Sequence, residues 1–187
     1  MKKIGLCITG SFCTFSNLLK AVDKLINAGY DIIPVFSYNV SSLDTRFYKQ
    51  ADFEKLIVEK TGKTPLKTIV EAETITKSGI ELMLVAPCTG NTLAKIVNGI
   101  TDTPTTMAVK ATLRTNKPVV LSISSNDALG ANAKNVGIAL NTKNLYLVPF
   151  GQDAPTNKPH SLIADTTLIL PTIEKALVRE QIQPIIL

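Results

Sequence analysis

Short apolar runs alternate with amphipathic stretches along most of the chain. Residues 3–9 are an apolar run that ends at Gly10-Ser11, and Leu18, Leu19, Val22, Leu25 and Ile26 then recur at helical spacing until Gly29 stops the helix. A second buried strand is predicted over 32–36, ending in the polar turn Ser37-Tyr38-Asn39. Residues 41–50 read as loop, 53–60 as a helix with Gly62 as its stop, and 70–77 as another short helix. The third strand covers 81–86, and the turn Thr89-Gly90-Asn91-Thr92 leads from it into a helix marked by Leu93, Ile96, Val97 and Ile100. A helix over 106–115 with Pro104 near its start, strands at 119–123 and 145–148, and a closing helix carrying Ile173, Ala176, Leu177 and Val178 complete the pattern. Asp165 is placed to cap that last helix, and Pro171 must kink it or delay its start.

This alternation predicts one α/β domain over residues 1–187: a doubly wound, flavodoxin-like (Rossmann-like) sheet of five or so parallel strands with helices on both faces. Such sheets bind ligands at the carboxyl ends of their strands, where the strand order reverses. Polar turns occupy that edge: Thr9-Gly10-Ser11, Ser37-Tyr38-Asn39, Thr89-Gly90-Asn91-Thr92 and Ser124-Ser125-Asn126-Asp127. The third turn sits over a helix N-terminus, where free N–H groups and hydroxyls suit a phosphate and Gly90 admits a close approach. Plain helix capping by Thr and Asn is the competing reading. Ser11, Ser37, Thr89 and Thr92 are expected to converge on one anion site.

Composition narrows the chemistry. The 187 residues are 45% hydrophobic and 19% charged, enough for one sizeable core. The net charge of +5 comes from dispersed Lys and Arg, and aromatics are 5%, so the basic stripe with stacking rings of a nucleic-acid binder is missing. A modest positive excess suits an anionic small molecule or an acidic partner. Without a signal-peptide pattern or a run long enough to span a bilayer, the expected location is the cytoplasm and no membrane contact is expected. Cys7, Cys13 and Cys88 lack metal-ligand spacing and His160 is the only imidazole, so no metal is expected.

Neither G-x-G-x-x-G, nor a P-loop, nor a G-x-S-x-G elbow is present. His160 follows the proline-containing loop 150–159, where a surface role outweighs a catalytic triad. Cys13 is the candidate catalytic thiol, beside the first turn and near a helix N-terminus that would lower its pKa; quiet packing at a helix start is the alternative. Arg46, Lys110, Arg114 and Lys158 are candidate anion ligands, and Gln152-Asp153 either bonds a substrate or shapes a turn. With so little acid–base machinery, a cofactor or a second polypeptide is expected to carry the hard step.

Thr92-Leu-Ala-Lys-Ile-Val-Asn-Gly-Ile-Thr-Asp102, continuing through 107–120, resembles the flavoprotein family of FMN-dependent cysteine decarboxylases and their relatives, as do Thr9-Gly10-Ser11 and the turn 124–127. Gly5-Leu-Cys-Ile-Thr-Gly-Ser11, Asn39-Val-Ser with Thr45-Arg-Phe47, Asn126-Asp-Ala-Leu-Gly130, Val148-Pro-Phe-Gly-Gln-Asp153, Thr172-Ile-Glu-Lys-Ala-Leu177 and Gln183-Pro184 are similar to one branch of that family. Members of that branch form one half of a two-component oxidoreductase of spore-forming bacteria.

The resemblance implies FMN as cofactor, with Gly10, Ser11, Ser37, Thr89, Asn91, Thr92 and Ser124 as its candidate ligands and Arg46 and Asn126 facing the substrate, a small cyclic dicarboxylate. It also implies a partner polypeptide that resembles an NAD(P)-dependent dehydrogenase and supplies NADP, a homo-oligomer built on trimers, and a place in the mother-cell cytoplasm of a sporulating bacterium. The chain departs from the pattern at Phe12, where the branch has His, and keeps Asn126 without the Met of the decarboxylase turn. A self-sufficient flavin decarboxylase and a non-catalytic, partner-stabilising protein therefore stay open as alternatives.

Overall fold

Parallel strands form the centre of the molecule, whose computed structural model describes residues 2–187. In chain order the elements are β1 (Lys2–Ile8), α1 (Phe15–Asn27), β2 (Tyr30–Phe36), α2 (Tyr38–Ser42), α3 (Gln50–Thr61), α4 (Ile69–Glu73), β3 (Leu82–Cys88), α5 (Gly90–Val97), α6 (Pro104–Arg114), β4 (Val119–Ser125), α7 (Ala133–Leu140), β5 (Leu145–Leu147), β6 (Phe150–Ala154), β7 (Lys158–Ala164) and α8 (Ile169–Leu177). The seven-stranded sheet runs β2-β1-β3-β4-β7-β6, with β5 also paired to β4. β1 to β5 are parallel, so the flavodoxin-like doubly wound core is present as the periodicity predicts. No helix of the described residues is long and apolar enough to cross a membrane.

One face of the sheet is covered by α1, α3 and α8, the other by α4, α5, α6 and α7. The aromatic rings concentrate on the first face: Phe53 of α3 stacks on Phe15 of α1 at 4.2 Å and on Phe36 of β2 at 5.8 Å. All three are buried, and truncating such a ring costs about 3–5 kcal/mol. On the opposite face Gly5 leaves its side-chain position to Met83: a Cβ there would lie 2.5 Å from Met83 Cε.

Several boundaries differ from the sequence expectation. Ser37 does not end in a bare turn; its Oγ accepts the Val40 N–H at 3.4 Å and starts α2. The stretch expected as one helix over 70–77 is α4 followed by a 3-10 turn, Ile75–Ser78. Helix α5 ends at Val97, with Gly99 at φ +71, so Ile100 lies beyond it and is half exposed. Asp165 caps the 3-10 turn Thr166–Leu168, and α8 follows with Pro171 in its first turn, where a missing N–H costs nothing.

The largest difference is an antiparallel hairpin, β6–β7, in the region expected as loop around 150–159. β7 joins the sheet through Ser124 and Ser125 at the polar end of β4, while β5 takes the apolar beginning of the same strand, Val119 to Leu121. Residues 151–153 are Gly, Gln and Asp, so β6 has no apolar period to announce it. Helix α7 has no counterpart in the sequence expectation either.

Candidate functional site

The strand order reverses beside β1, which lies between β2 and β3, and the strand ends there are tied together. Thr9 follows β1 with its hydroxyl buried; Oγ1 donates to the Pro87 carbonyl at 2.7 Å and accepts the Thr89 N–H at 3.1 Å. That bridge sets the turn after β1 beside the turn after β3. The Ser11 and Ser124 hydroxyls then meet at 2.7 Å, bringing in the end of β4. The three strand ends border a cleft of about 1040 Å³, into which Gly10, Ser11, Cys13, Thr89, Asn91 and Ser124 all open.

Thr89 caps α5, accepting the Thr92 N–H at 3.3 Å and donating to Thr92 Oγ1 at 3.0 Å. Gly90 and Asn91, first in the helix, have no intrahelical acceptor for their N–H groups. A Cβ on Gly90 would sit 2.5 Å from Ser125 Oγ and 2.8 Å from both Asn132 Nδ2 and Asp127 Oδ1, so a polar cluster is seated directly against the helix start.

Within that cluster Ser125 Oγ donates to Asp127 Oδ1 at 2.6 Å and Asn132 Nδ2 donates to Asp127 Oδ2 at 2.8 Å. The Ser125 bond, then the Asn132 bond, hold the Asp127 carboxyl below the ordinary carboxylate range. The network runs on through the buried Asn135, whose Nδ2 donates to Asn132 Oδ1 at 2.7 Å. Sequence reading placed Asp127 only in a polar turn; its link to Asn132, five residues on, depends on the loop between β4 and α7.

The remaining lining comes from two other elements. Arg46, between α2 and α3, lies with its guanidinium 4.8 Å from the centre of the Phe47 ring, and both border the cleft. Asp153 and Lys158 come from the hairpin, with Lys158 Nζ donating to Asp153 Oδ2 at 2.8 Å. Asp153 beside it holds the Lys158 ammonium above the usual lysine range. Asn126 also borders the cleft, together with Asn17 and the buried Ser161, which sequence reading did not single out.

Not every expected ligand reaches this place. Ser37 caps α2 and Thr92 bonds back to Thr89, and neither lines the cleft, so the expected four-hydroxyl convergence reduces to Ser11 and Thr89, joined by Ser124. Lys110 and Arg114 border a separate groove between α5 and α6 with Ile96 and Ile100. Gln152 Nε2 donates to the Pro159 carbonyl at 3.0 Å, within the hairpin, and His160 is exposed outside the lining. Cys13 is exposed with its Sγ 3.9 Å from Ser11 Oγ, whereas burial pushes the Cys7 thiol up and the Cys88 thiol up to about 12.

The hydroxyls of Ser11, Thr89 and Ser124, the amide of Asn91 and the unused N–H groups of α5 are a donor set for an anionic, hydroxyl-rich ligand. The cleft is at the upper end of the size usual for cofactor sites, and the glycine against the Ser125–Asp127–Asn132 cluster keeps its floor clear of side-chain carbon. These residues fit a flavin mononucleotide.

Residues 1–139 match the family described as Flavoprotein. The chain belongs to this family. It is 45% identical over 186 residues to the B component of dipicolinate synthase from Bacillus subtilis, a match that covers 99% of this chain and 93% of that protein. A crystal structure of the B component of dipicolinate synthase from Bacillus halodurans superposes with a TM-score of 0.91 at 40% identity, covering 100% of this chain and 96% of that one. An FMN-dependent cysteine decarboxylase, SpaF, shares the fold with a TM-score of 0.67 at 18% identity, covering 96% of each chain.

Proposed function

We propose that this chain is the B component of a two-component dipicolinate synthase. It binds FMN in the cleft and oxidises dihydrodipicolinate to dipicolinate together with the NADP-dependent A component, in the mother-cell cytoplasm of a sporulating bacterium. The observation that carries this reading is the composition of the cleft in a chain similar over its whole length to the B component of a dipicolinate synthase. Hydroxyl and amide donors and two cations line one cleft, and its lining contains no imidazole.

Gly10, Ser11, Thr89, Asn91 and Ser124 hold the phosphate and polyol of the cofactor by hydrogen bonds. Arg46 takes a carboxylate of the substrate, for which its planar fork is suited, and Asn126 orients the ring. Asp127, kept anionic by Ser125 and Asn132, fixes the floor against Gly90. The flavin, when bound, supplies an acceptor for two electrons. The A component brings the nucleotide. In this reading the chain works as a homo-oligomer built on trimers.

The test is a mixing assay with dihydrodipicolinate and NADP. Turnover is expected only when the full chain and the A component are both present, and the purified chain is expected to carry a flavin absorbance band. Turnover by the chain alone would make it a self-sufficient flavoenzyme. Full activity of the A component without it would leave it only a stabilising role.

A further inference from the structure

The two cations of the cleft are in different states. Arg46 has the Phe47 ring beneath it and, among the described residues, no carboxylate within 4.0 Å. Lys158 carries its own counter-ion, Asp153, at 2.8 Å. Both partners of that pair are on one hairpin and both border the cleft, with side chains 56% and 35% exposed, and the Gln152–Pro159 hydrogen bond holds their strands together. The other carboxylate of the lining, Asp127, is engaged by Ser125 and Asn132.

A ligand with one carboxylate therefore finds Arg46 ready. A second carboxylate on the same ligand has to displace Asp153 from Lys158. Solvent-exposed lysine–carboxylate pairs are weakly held, so such an exchange is open to a ligand that supplies an equivalent oxygen.

We propose that Asp153 and Lys158 form an exchangeable ion pair that counts the charges of the ligand: the first carboxylate of a small cyclic diacid is held by Arg46, and the second replaces Asp153 on Lys158. This rests on the dicarboxylate reading above and assigns its selectivity to the hairpin. No covalent step is involved. Asp153 lowers the affinity for every anion that reaches Lys158, and a ligand with only one carboxylate, held at Arg46, gains nothing from the pair.

Calorimetric titration of the full chain, with the A component present, against pyridine-2,6-dicarboxylate and pyridine-2-carboxylate tests this. The diacid is expected to bind at least roughly tenfold more tightly than the monoacid, the scale of one charge-assisted hydrogen bond. Lys158→Met should remove most of that preference by weakening the diacid alone. Asp153→Asn should strengthen the diacid several-fold with the monoacid unchanged. A merely structural role would move both acids together.

Wild-type protein that binds neither acid overturns the dicarboxylate reading and the charge exchange with it. Wild-type protein that prefers the diacid, with Lys158→Met and Asp153→Asn keeping the same preference, overturns the exchange and leaves the dicarboxylate reading standing. Asp153→Asn guards against a misleading loss, because a damaged fold would not raise affinity.

Discussion

The two walls of the cleft are built in opposite ways. One consists of strand-end turns: Thr9 buried between β1 and β3, Ser11 on Ser124, Thr89 capping α5, and the Asp127 cluster packed on Gly90. The other consists of Arg46 in a segment between helices and the Lys158–Asp153 pair on a hairpin, which pairs with the parallel sheet at Ser124 and Ser125. The first wall is neutral apart from Asp127, and its hydroxyls are held by backbone, by one another or, for Ser125, by the Asp127 carboxylate. The second is charged and exposed. A wall whose donors are fixed by capping and strand-end contacts suits an invariant cofactor. A wall of long, solvated side chains suits a substrate that must enter, be recognised by charge and leave.

The contrast breaks most sharply at Gly90. Gly90→Val should place carbon on Ser125, Asn132 and Asp127, cost about 1–3 kcal/mol of stability as overpacking does, and abolish flavin retention, read by absorbance after gel filtration. A fully flavin-loaded Gly90→Val protein would show that the cluster moves freely and that the first wall is not rigid.

Next in size is Arg46→Ala, which should lower kcat/KM of the reconstituted two-component enzyme roughly tenfold to a hundredfold while leaving flavin content unchanged. Arg46→Lys should recover only part of the loss, because lysine keeps the charge without the fork.

Asp127→Asn should cost about 1 kcal/mol near neutrality, seen as a lower Tm, since Ser125 and Asn132 lose a charged acceptor. Because the folded chain holds this carboxyl below its ordinary value of about 4, its contribution is complete above that value and is lost as pH falls through the folded one. Asp44, Glu71 and Asp102 titrate in the same direction. The variant should therefore unfold in acid with a shallower dependence on pH than the wild type, and an unchanged acid profile would place Asp127 outside the stabilising network.

The smallest effect is chemical. Of the three thiols, native protein should expose one, Cys13, to a disulfide reagent at neutral pH, because Cys7 and Cys88 are buried and held as thiols. Three fast-reacting thiols would mean that the sheet around β1 and β3 opens readily.

The two walls also differed in how legible they were. Ser11, Thr89, Asn91 and Ser124 follow apolar strands directly, so alternation alone put them on the right edge of the sheet. Ser37 stood in an equivalent turn but is used up as the cap of α2, a helix of five residues too short to show a period. Thr92 belongs to the right turn and bonds inward to Thr89. Lys110 and Arg114 stand behind Arg46 as candidate carboxylate ligands in the sequence, and α6 carries them to another groove.

By itself, the sequence determined the parallel core, the helices with a clear apolar period and the strand-end hydroxyls of the neutral wall, because strand periodicity, helix capping and the strand-end rule act over a few neighbouring residues. Only the tertiary structure decided the charged wall. Residues 150–154 have no apolar pattern, and β6 obtains its hydrogen-bond partners from β7, which in turn pairs with the polar end of β4, a strand nearly forty positions earlier. The meeting of Arg46 with Lys158 in one cleft is set by that long-range pairing, and no local preference encodes it.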